Sequence, residues 1–367
     1  MTDDNVLIDW EVATATAVRL APKGPAVTRR EAFDAVQQLR SLAAEASGHV
    51  TAVTRLRIPD DQPPARVVDR TGWIRGNVGG FRVVLRPLLE KLAAKSEGVP
   101  GSGLLRGVGA KITGAQFGVV LAYLSGKVLG QYEIFLPPDG GTTPPGRLSL
   151  VAPNIVAVER ELGVDPRDFR LWVCIHEAAH RAQFTAVPWL RSHVQDEVAA
   201  YLVEAELDSA ALFARLRSAA QTIRERGLDG GRDFPLGLLD VVHTPRQRDI
   251  LRRLTALMTL LEGHGEYVMN AVGAAVIPTI DEIREKFAAR RAGRNAADRL
   301  VRRLFGLDIK ARQYAEGARF VDAVVEAAGM DAFNRVWTSP NTLPTKEEIA
   351  EPERWMARVL HTDASSR

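Results

Sequence analysis

Apolar residues recur every three to four positions along most of the chain, a spacing that places them on one face of an α-helix. The first long segment of this kind follows Thr28, which can cap a helix, and runs to about Ser47. The same spacing predicts later helices over residues 72–95, 112–130, 167–184, 190–206, 209–226, 245–271, 279–291, 294–306, 310–328 and 346–360. The pattern therefore predicts a mainly helical protein.

A short stretch of different character interrupts the helices. QYEIFLP (131–137) and RLSLVAPNI (147–155) have the composition of short strands, and the connection between them is rich in turn-forming residues. We therefore expect the fold class mainly α (α+β), with a small β element just before helix 167–184. At 367 residues the chain is long for a single core. We expect two lobes, residues 1–184 with the β element and helical residues 185–367.

Composition and charge narrow the class of partners. Apolar residues make up 46% of the chain and charged residues 25%, which is typical of a folded globular protein. The formal charge is only +3, from 48 basic and 45 acidic residues, so we expect neither a nucleic-acid nor a membrane partner. Cys174 is the only cysteine, which excludes an intrachain disulfide and a cysteine-rich zinc cage.

The N-terminus and the most apolar segment indicate where the protein acts. MTDDNVLIDW is acidic and lacks the basic start and apolar run of a secretory signal. In segment 112–130 the apolar run is interrupted by Gly118, Ser125 and Lys127, and it is shorter than the roughly 20 residues that a membrane span needs. We therefore expect a buried core helix there, no membrane span, and a cytoplasmic protein.

The segment IHEAAHRAQF carries the strongest chemical signal. On a helix, which turns about 100° per residue, His180 lies about 40° from His176, and Glu177 lies about 100° from it. The residues on the opposite side are apolar, namely Leu171, Ile175, Ala178, Ala179 and Ala182. Two imidazoles one turn apart can bind one Zn²⁺ ion, and the glutamate beside them is placed to hold a water. The alternative is an ordinary structural helix that contains these residues by chance.

A catalytic zinc needs a third protein ligand and an open position for water. The residues that can supply the ligand are Glu197, Glu204, His193, Glu262, His264 and Glu266. The segment TALMTLLEGHGEYVMN has the most suitable spacing, because Glu262 and Glu266 are four apart and share a helical face. His264 falls on the apolar face of the same helix and is more simply a core histidine.

Two further features bear on the choice of ligand. Gly263 and Gly265 lower the helix propensity of their segment, which indicates that another part of the chain approaches it closely. Glu204 and Asp208 also have the four-residue spacing, but Asp208 precedes a new apolar repeat and is typical of an N-cap. That pair is therefore expected at a helix break.

Four segments resemble a family of zincin-like metallopeptidases: HEAAHRAQFTAVPWLR, LEGHGEYVM, RRLFGLDIKARQYAEG and LPTKEEIAEPERW. The likeness extends from about residue 70 to 360. Members of this family are typical of actinomycete-type bacteria, and their names associate them with biosynthesis of the deazaflavin coenzyme. The resemblance implies a zincin-like fold with zinc at His176 and His180. Similarity to glutamate zincins in general implies Glu262 as the third ligand and Glu266 as its companion on the helix.

This arrangement predicts a hydrolytic mechanism. Zinc held by His176, His180 and Glu262 lowers the pKa of a bound water to about 7. Glu177 takes the proton as the water attacks a carbonyl group and then delivers it to the leaving nitrogen. The developing negative charge on oxygen usually needs a further hydrogen-bond donor. Candidates for this donor are Tyr267, His264, Tyr314 and Arg181.

The leading hypothesis is a zinc-dependent metallopeptidase in which one of the predicted strands forms an edge for an extended peptide. A zinc hydrolase of a non-peptide amide needs the same metal, base and open position. A zincin-fold module that binds metal without turnover is a third hypothesis, although Glu177 argues against it because a structural metal site needs no base. A helix that binds no metal is the fourth.

Overall fold

Helices form most of the described chain, as the apolar spacing predicts. The computed structural model describes residues 7–96, 102–137, 146–204, 244–292 and 307–360. Within these ranges the helices are α1 (Trp10–Leu20), α2 (Arg29–Thr54), α3 (Arg70–Ser96), α4 (Ser102–Ser125), α5 (Ala152–Leu162), α6 (Pro166–Ala186), α7 (Leu190–Val203), α8 (Pro245–Val272), α9 (Ile280–Ala292), α10 (Leu307–Ala328), α11 (Met330–Phe333), α12 (Lys346–Ala350) and α13 (Pro352–Val359). Two short 3₁₀ helices, Asn334–Trp337 and Pro340–Thr342, lie between α11 and α12. The helices predicted over 209–226 and 294–306 lie outside the described residues.

Side-chain caps determine where several of these helices begin. The Thr28 hydroxyl accepts a hydrogen bond from the Glu31 backbone N–H, and the Glu31 carboxylate accepts one from the Thr28 N–H, so α2 begins where the sequence predicts. Thr244 and Gln247 form the same reciprocal pair at the start of α8. The Asp165 carboxylate accepts a backbone N–H of the first turn of α6. Each cap satisfies an N–H group that has no partner within its helix.

A three-stranded sheet packs beside α6. Its strands are β1 (Arg66–Val68), β2 (Gly130–Glu133) and β3 (Arg147–Val151). Their spatial order is β1-β3-β2, with β1 parallel and β2 antiparallel to β3. The sequence pattern predicts β2 and β3 but misses β1, whose three residues are too few to show alternation. The strand predicted over RLSLVAPNI is too long. The observed strand ends at Val151, and α5 begins at Ala152, with Pro153 in its first turn.

The core is arranged around α6, which packs against α2 and α8 and against β2 and β3. The residues that the sequence places on its apolar face are completely buried: Leu171, Ile175, Ala178, Ala179 and Ala182. Burying a side chain such as Leu171 or Ile175 stabilises the fold by about 1.5–3 kcal/mol. The predicted apolar face is therefore confirmed, and the other face is left to carry His176, Glu177 and His180.

Helices α8 and α10 cross at two glycines. A Cβ atom added to Gly263 would lie 2.1 Å from the carbonyl carbon of Gly317, and one added to Gly317 would lie 2.0 Å from the carbonyl oxygen of Thr259. Only glycine permits the two backbones to approach this closely. The close approach that the sequence indicates at Gly263 is confirmed, and it holds in place the helix that carries Glu262.

We expect Gly263→Ala to lower the free energy of unfolding. Alanine has the better helix propensity by about 1 kcal/mol, but overpacking costs about 1–3 kcal/mol or more. The obstructing atoms are backbone, which can move only if the two helices separate. Gly48→Ala in α2 is the matched control, because an added Cβ there meets no atom within 4 Å and should be stabilising. Urea unfolding measures both variants, and equal stability would contradict the backbone contact.

Helix α4 is half exposed, so the prediction of a buried core helix is wrong. Its Gly114 and Gly118 lie against α1, where an added Cβ would be 2.3 Å from the Asp9 carbonyl oxygen and 2.5 Å from that of Ala13. The opposite face is exposed at Val108, Ile112 and Val119. The sequence pattern misses α1, and the helices that pack on α4, mainly α1 and to a smaller extent α3, leave this face uncovered. By length and composition alone, Gly107–Ser125 could cross a membrane, the one such helix within the described ranges.

Candidate metal centre

His176 and His180 of α6 and Glu262 of α8 come together at one point. The two Nε2 atoms are 3.2 Å apart, and the Glu262 Oε2 atom lies 3.7 Å from His176 Nε2 and 3.6 Å from His180 Nε2. Ligand atoms bound to one tetrahedral zinc at roughly 2.0–2.1 Å are about 3.3 Å from each other. The three side chains therefore form a group that could hold a metal ion.

The division of the chain into two lobes, residues 1–184 and 185–367, stays a prediction.

The three side chains lie between two helices and are only partly accessible. The Glu262 side chain is 8% exposed, whereas His176 and His180 are 19% and 14% exposed. Gly265 of α8 lies against the His176 imidazole, where an added Cβ would be 3.3 Å from its Nδ1 atom. The second glycine of the LEGHGEYVM segment therefore leaves room for a ring that belongs to the cluster.

A buried glutamine contacts the second histidine, and the sequence patterns miss it. The Gln183 Oε1 atom lies 3.0 Å from His180 Nδ1. Its Nε2 atom donates to the Leu261 carbonyl oxygen at 2.9 Å and lies 2.9 Å from His264 Nδ1. His264 is completely buried and stacks on Phe333. The structure therefore places His264 behind Gln183, not among the residues that line the cleft described below.

The surroundings of His180 and His264 shift their pKa values in opposite directions. Burial alone lowers the pKa of His180, but the Glu262 carboxylate 3.6 Å away, with the charge of Glu177 and the contact to Gln183, outweighs burial and raises the pKa to about 9. Burial, with a smaller effect from His180, lowers the pKa of His264 to about 3, so this ring is neutral. In the metal-free protein a proton therefore competes with any metal ion for His180.

Glu177 lies next to the first residue of the edge strand. It is buried, with 6% exposure, and an added Cβ at Gly130 would lie 2.7 Å from its Cγ and 2.9 Å from its Oε1 atom. Only glycine at this position in β2 leaves room for the carboxylate. The predicted base is thus held between the strand and the two histidines.

A cleft of about 760 Å³ contains the cluster. His176, Glu177, His180 and Glu262 all line it, and β2 forms one wall. Its other lining side chains are mainly apolar and include Phe81, Trp172, Phe184, Val194, Met258 and Phe287. The histidines and the two carboxylates therefore face a space that is large enough for a substrate and poor in other charges.

The alternative third ligands lie elsewhere. Glu197 and Glu204 each form an ion pair with an arginine, at 2.8 and 2.9 Å. His193 packs edge-on against a tryptophan ring. Asp208, four residues after Glu204 in the sequence, is outside the described residues. Among the described candidates, Glu262 is the carboxylate that contacts both histidines.

The candidate oxyanion donors are spread over several places. Burial, and then the charge of Asp322 in α10, raises the pKa of Tyr267, which places this phenol toward α10. The Arg181 guanidinium donates to a backbone carbonyl oxygen before β1 at 2.8 Å. Glu266 is partly buried one turn beyond Glu262. None of these three lines the cleft, and the side chain of Tyr314 is outside the described residues.

Comparison with known proteins shows the class of the protein. The model of the zincin-like metallopeptidase family matches residues 8–356, and the chain belongs to this family. The chain is also similar to a protein from Chloroflexus aurantiacus, whose crystal structure is described as that of a candidate hydrolase with a novel fold. The two share 33% sequence identity over 96% of this chain and 98% of that chain, with a TM-score of 0.68. Comparison with the curated proteins finds no match. Both positive findings support a hydrolase.

Proposed function

We propose that the protein is a zinc-dependent metallopeptidase in which His176, His180 and Glu262 hold the metal. The observation that carries this proposal is the spacing of the three ligand atoms, which fits one tetrahedral zinc ion. Zinc, when bound, supplies a polarised water and a Lewis acid for the substrate carbonyl group. Membership of the metallopeptidase family supports the same assignment.

Glu177 is the proposed general base. Its carboxylate lines the cleft beside the two histidines and has little access to bulk water. One carboxylate oxygen accepts a proton from the attacking water, so that the water oxygen forms its bond to the substrate carbonyl carbon. The same oxygen then delivers that proton to the nitrogen as the carbon–nitrogen bond breaks. The products are a carboxylic acid and an amine, as hydrolysis of a peptide bond requires.

The open edge of β2 supports an extended peptide as substrate. The Val151 N–H donates to the Leu129 carbonyl oxygen at 2.8 Å, which makes these two residues a hydrogen-bonded antiparallel pair. Because such pairs alternate along a ladder, the backbone N–H and C=O groups of Gly130 and Tyr132 point away from β3. Within the described residues nothing bonds to them. A peptide can therefore add to this edge through main-chain hydrogen bonds, directly beside Glu177.

The walls of the cleft favour peptides with bulky apolar side chains near the cleaved bond. Trp172 lies one helical turn before His176 and meets Phe287 edge-on at 5.0 Å. Phe184 lies one turn after His180. Burial of an apolar substrate side chain against either aromatic residue would contribute roughly 25 cal/mol of binding free energy per Å² of apolar surface. We therefore propose apolar peptides as the substrate class, and the cytoplasm as the place of action that the sequence predicts.

Metal analysis combined with a cleavage screen tests the proposal. Chelated protein refilled with zinc should bind about one ion per chain and cleave a peptide library next to apolar residues. Zinc binding with hydrolysis of small acyl amides alone would favour the non-peptide amide hydrolase. Zinc binding without any hydrolysis would favour a binding module. Protein that binds no zinc would overturn the proposed function.

A further inference from the structure

The contacts of Gln183 fix the orientation of its amide group. A backbone carbonyl oxygen accepts hydrogen bonds and never donates them. The atom of Gln183 that lies 2.9 Å from the Leu261 carbonyl oxygen must therefore be the NH₂ nitrogen. The reversed amide would set two acceptor oxygens against each other in a place where Gln183 has no contact with water. The carbonyl oxygen of Leu261 in α8 thus fixes the NH₂ end of the amide, and the oxygen end is directed toward His180.

This orientation decides the state of the His180 ring. The other end of the amide, the Oε1 oxygen, lies 3.0 Å from His180 Nδ1 and can only accept. Nδ1 must therefore carry a proton. A neutral imidazole with its proton on Nδ1 has its free electron pair on Nε2, the atom that faces His176 and Glu262. A metal ligand needs this arrangement.

The second N–H of the Gln183 amide is directed to His264. Its Nε2 atom lies 2.9 Å from His264 Nδ1, which therefore accepts the hydrogen bond. The His264 ring cannot turn away easily, because it is completely buried, stacks on Phe333 and meets the Trp337 ring edge-on. Leu261 directly precedes Glu262 in the chain. One glutamine thus joins a ligand histidine of α6 to the backbone that carries the ligand glutamate of α8.

We infer that Gln183 is a positioning residue, which keeps the proton of His180 on Nδ1 and holds Nε2 toward the metal before the metal arrives. His264 and the Leu261 carbonyl oxygen act through Gln183, since they fix its amide. This inference rests on the proposed zinc site and gives His264 a role that requires no contact with metal or substrate.

Zinc affinity and a nuclear magnetic resonance measurement on the full chain test the inference. Gln183→Leu removes all three hydrogen bonds and replaces the amide side chain by an apolar one of similar size. We expect its zinc dissociation constant, measured by chelator competition, to rise about 10–100-fold. Gln183→Glu still accepts from His180 Nδ1 but cannot donate to the Leu261 carbonyl oxygen or to His264, so it should recover only part of the affinity. In ¹⁵N-histidine spectra of the zinc-loaded wild type, His180 should carry its proton on Nδ1 and bind zinc through Nε2.

Gln247→Leu is the matched control, because Gln247 is also a buried glutamine but caps the distant start of α8. It should lower the melting temperature and leave the zinc dissociation constant unchanged. The inference is overturned if Gln183→Leu binds zinc as tightly as Gln247→Leu does. It is also overturned, without any variant, if His180 of the wild type binds zinc through Nδ1. A wild type that binds no zinc overturns the proposed function itself, a different result from either of these.

Discussion

Glu177→Gln is expected to abolish turnover and to leave zinc bound. Glutamine has nearly the shape of glutamate, so it fits the space between β2 and the histidines that Gly130 leaves open. It has no basic oxygen that can accept a proton from water and later release it. General acid–base catalysis contributes about 10²–10⁴-fold, and kcat should fall by at least this factor. Zinc content should stay near that of the wild type, because Glu177 is not one of the three ligand groups.

Hydrolysis of the best library peptide, measured beside the metal content of the same samples, checks this expectation. Glu197→Gln is a suitable control. Glu197 is a glutamate of α7 that forms an ion pair with Arg253 and does not belong to the cluster. This variant should retain both zinc and activity. If Glu177→Gln loses zinc together with activity, Glu177 is a ligand or a structural anchor, and another base must be sought.

The sequence predicts the parts of the site that depend on local pattern. The periodicity of α6 places His176 and His180 on one face and an apolar face opposite, and the burial of that apolar face confirms it. The third ligand was not determined in the same way. Six residues are candidates, spacing favours the segment with Glu262 and Glu266, and the resemblance selects Glu262. Sequence pattern alone cannot decide, because which helices pack together is not contained in any local pattern.

Gln183 shows why part of the site escapes prediction. It lies three residues after His180, on the same helical face, so its position could have given a signal. A lone polar residue on a helix is usually solvated, however, and Gln183 is completely buried. Its partners, the Leu261 carbonyl and His264, come from a helix far along the chain. The exposure of α4 escaped prediction for a related reason, since α1 was not recognised and covers one face only.

Glu262→Ala and His180→Ala are both expected to lose tightly bound zinc. Loss of a hydrogen-bonding partner of a ligand costs about 10–100-fold in metal affinity, and loss of one of three protein ligands should cost more than that. Chelator competition on the two variants and the wild type measures the effect. Glu204→Ala is the control, since Glu204 pairs with an arginine and should be dispensable. If zinc survives in Glu262→Ala alone, the third ligand is another group.

The loss of zinc affinity in Glu262→Ala should also depend on pH, because Glu262, the proposed metal ligand, also favours the protonated form of His180. Its carboxylate is the main group that raises the pKa of His180, which reaches about 9 with the help of Glu177 and Gln183, so below that pH the wild type must release a proton to bind zinc. Without Glu262 this competition weakens, which partly offsets the missing ligand at pH 7 but not at pH 9. The ratio of dissociation constants, variant to wild type, should therefore be larger at pH 9 than at pH 7. A ratio that does not change with pH would mean that Glu262 does not control the proton on His180.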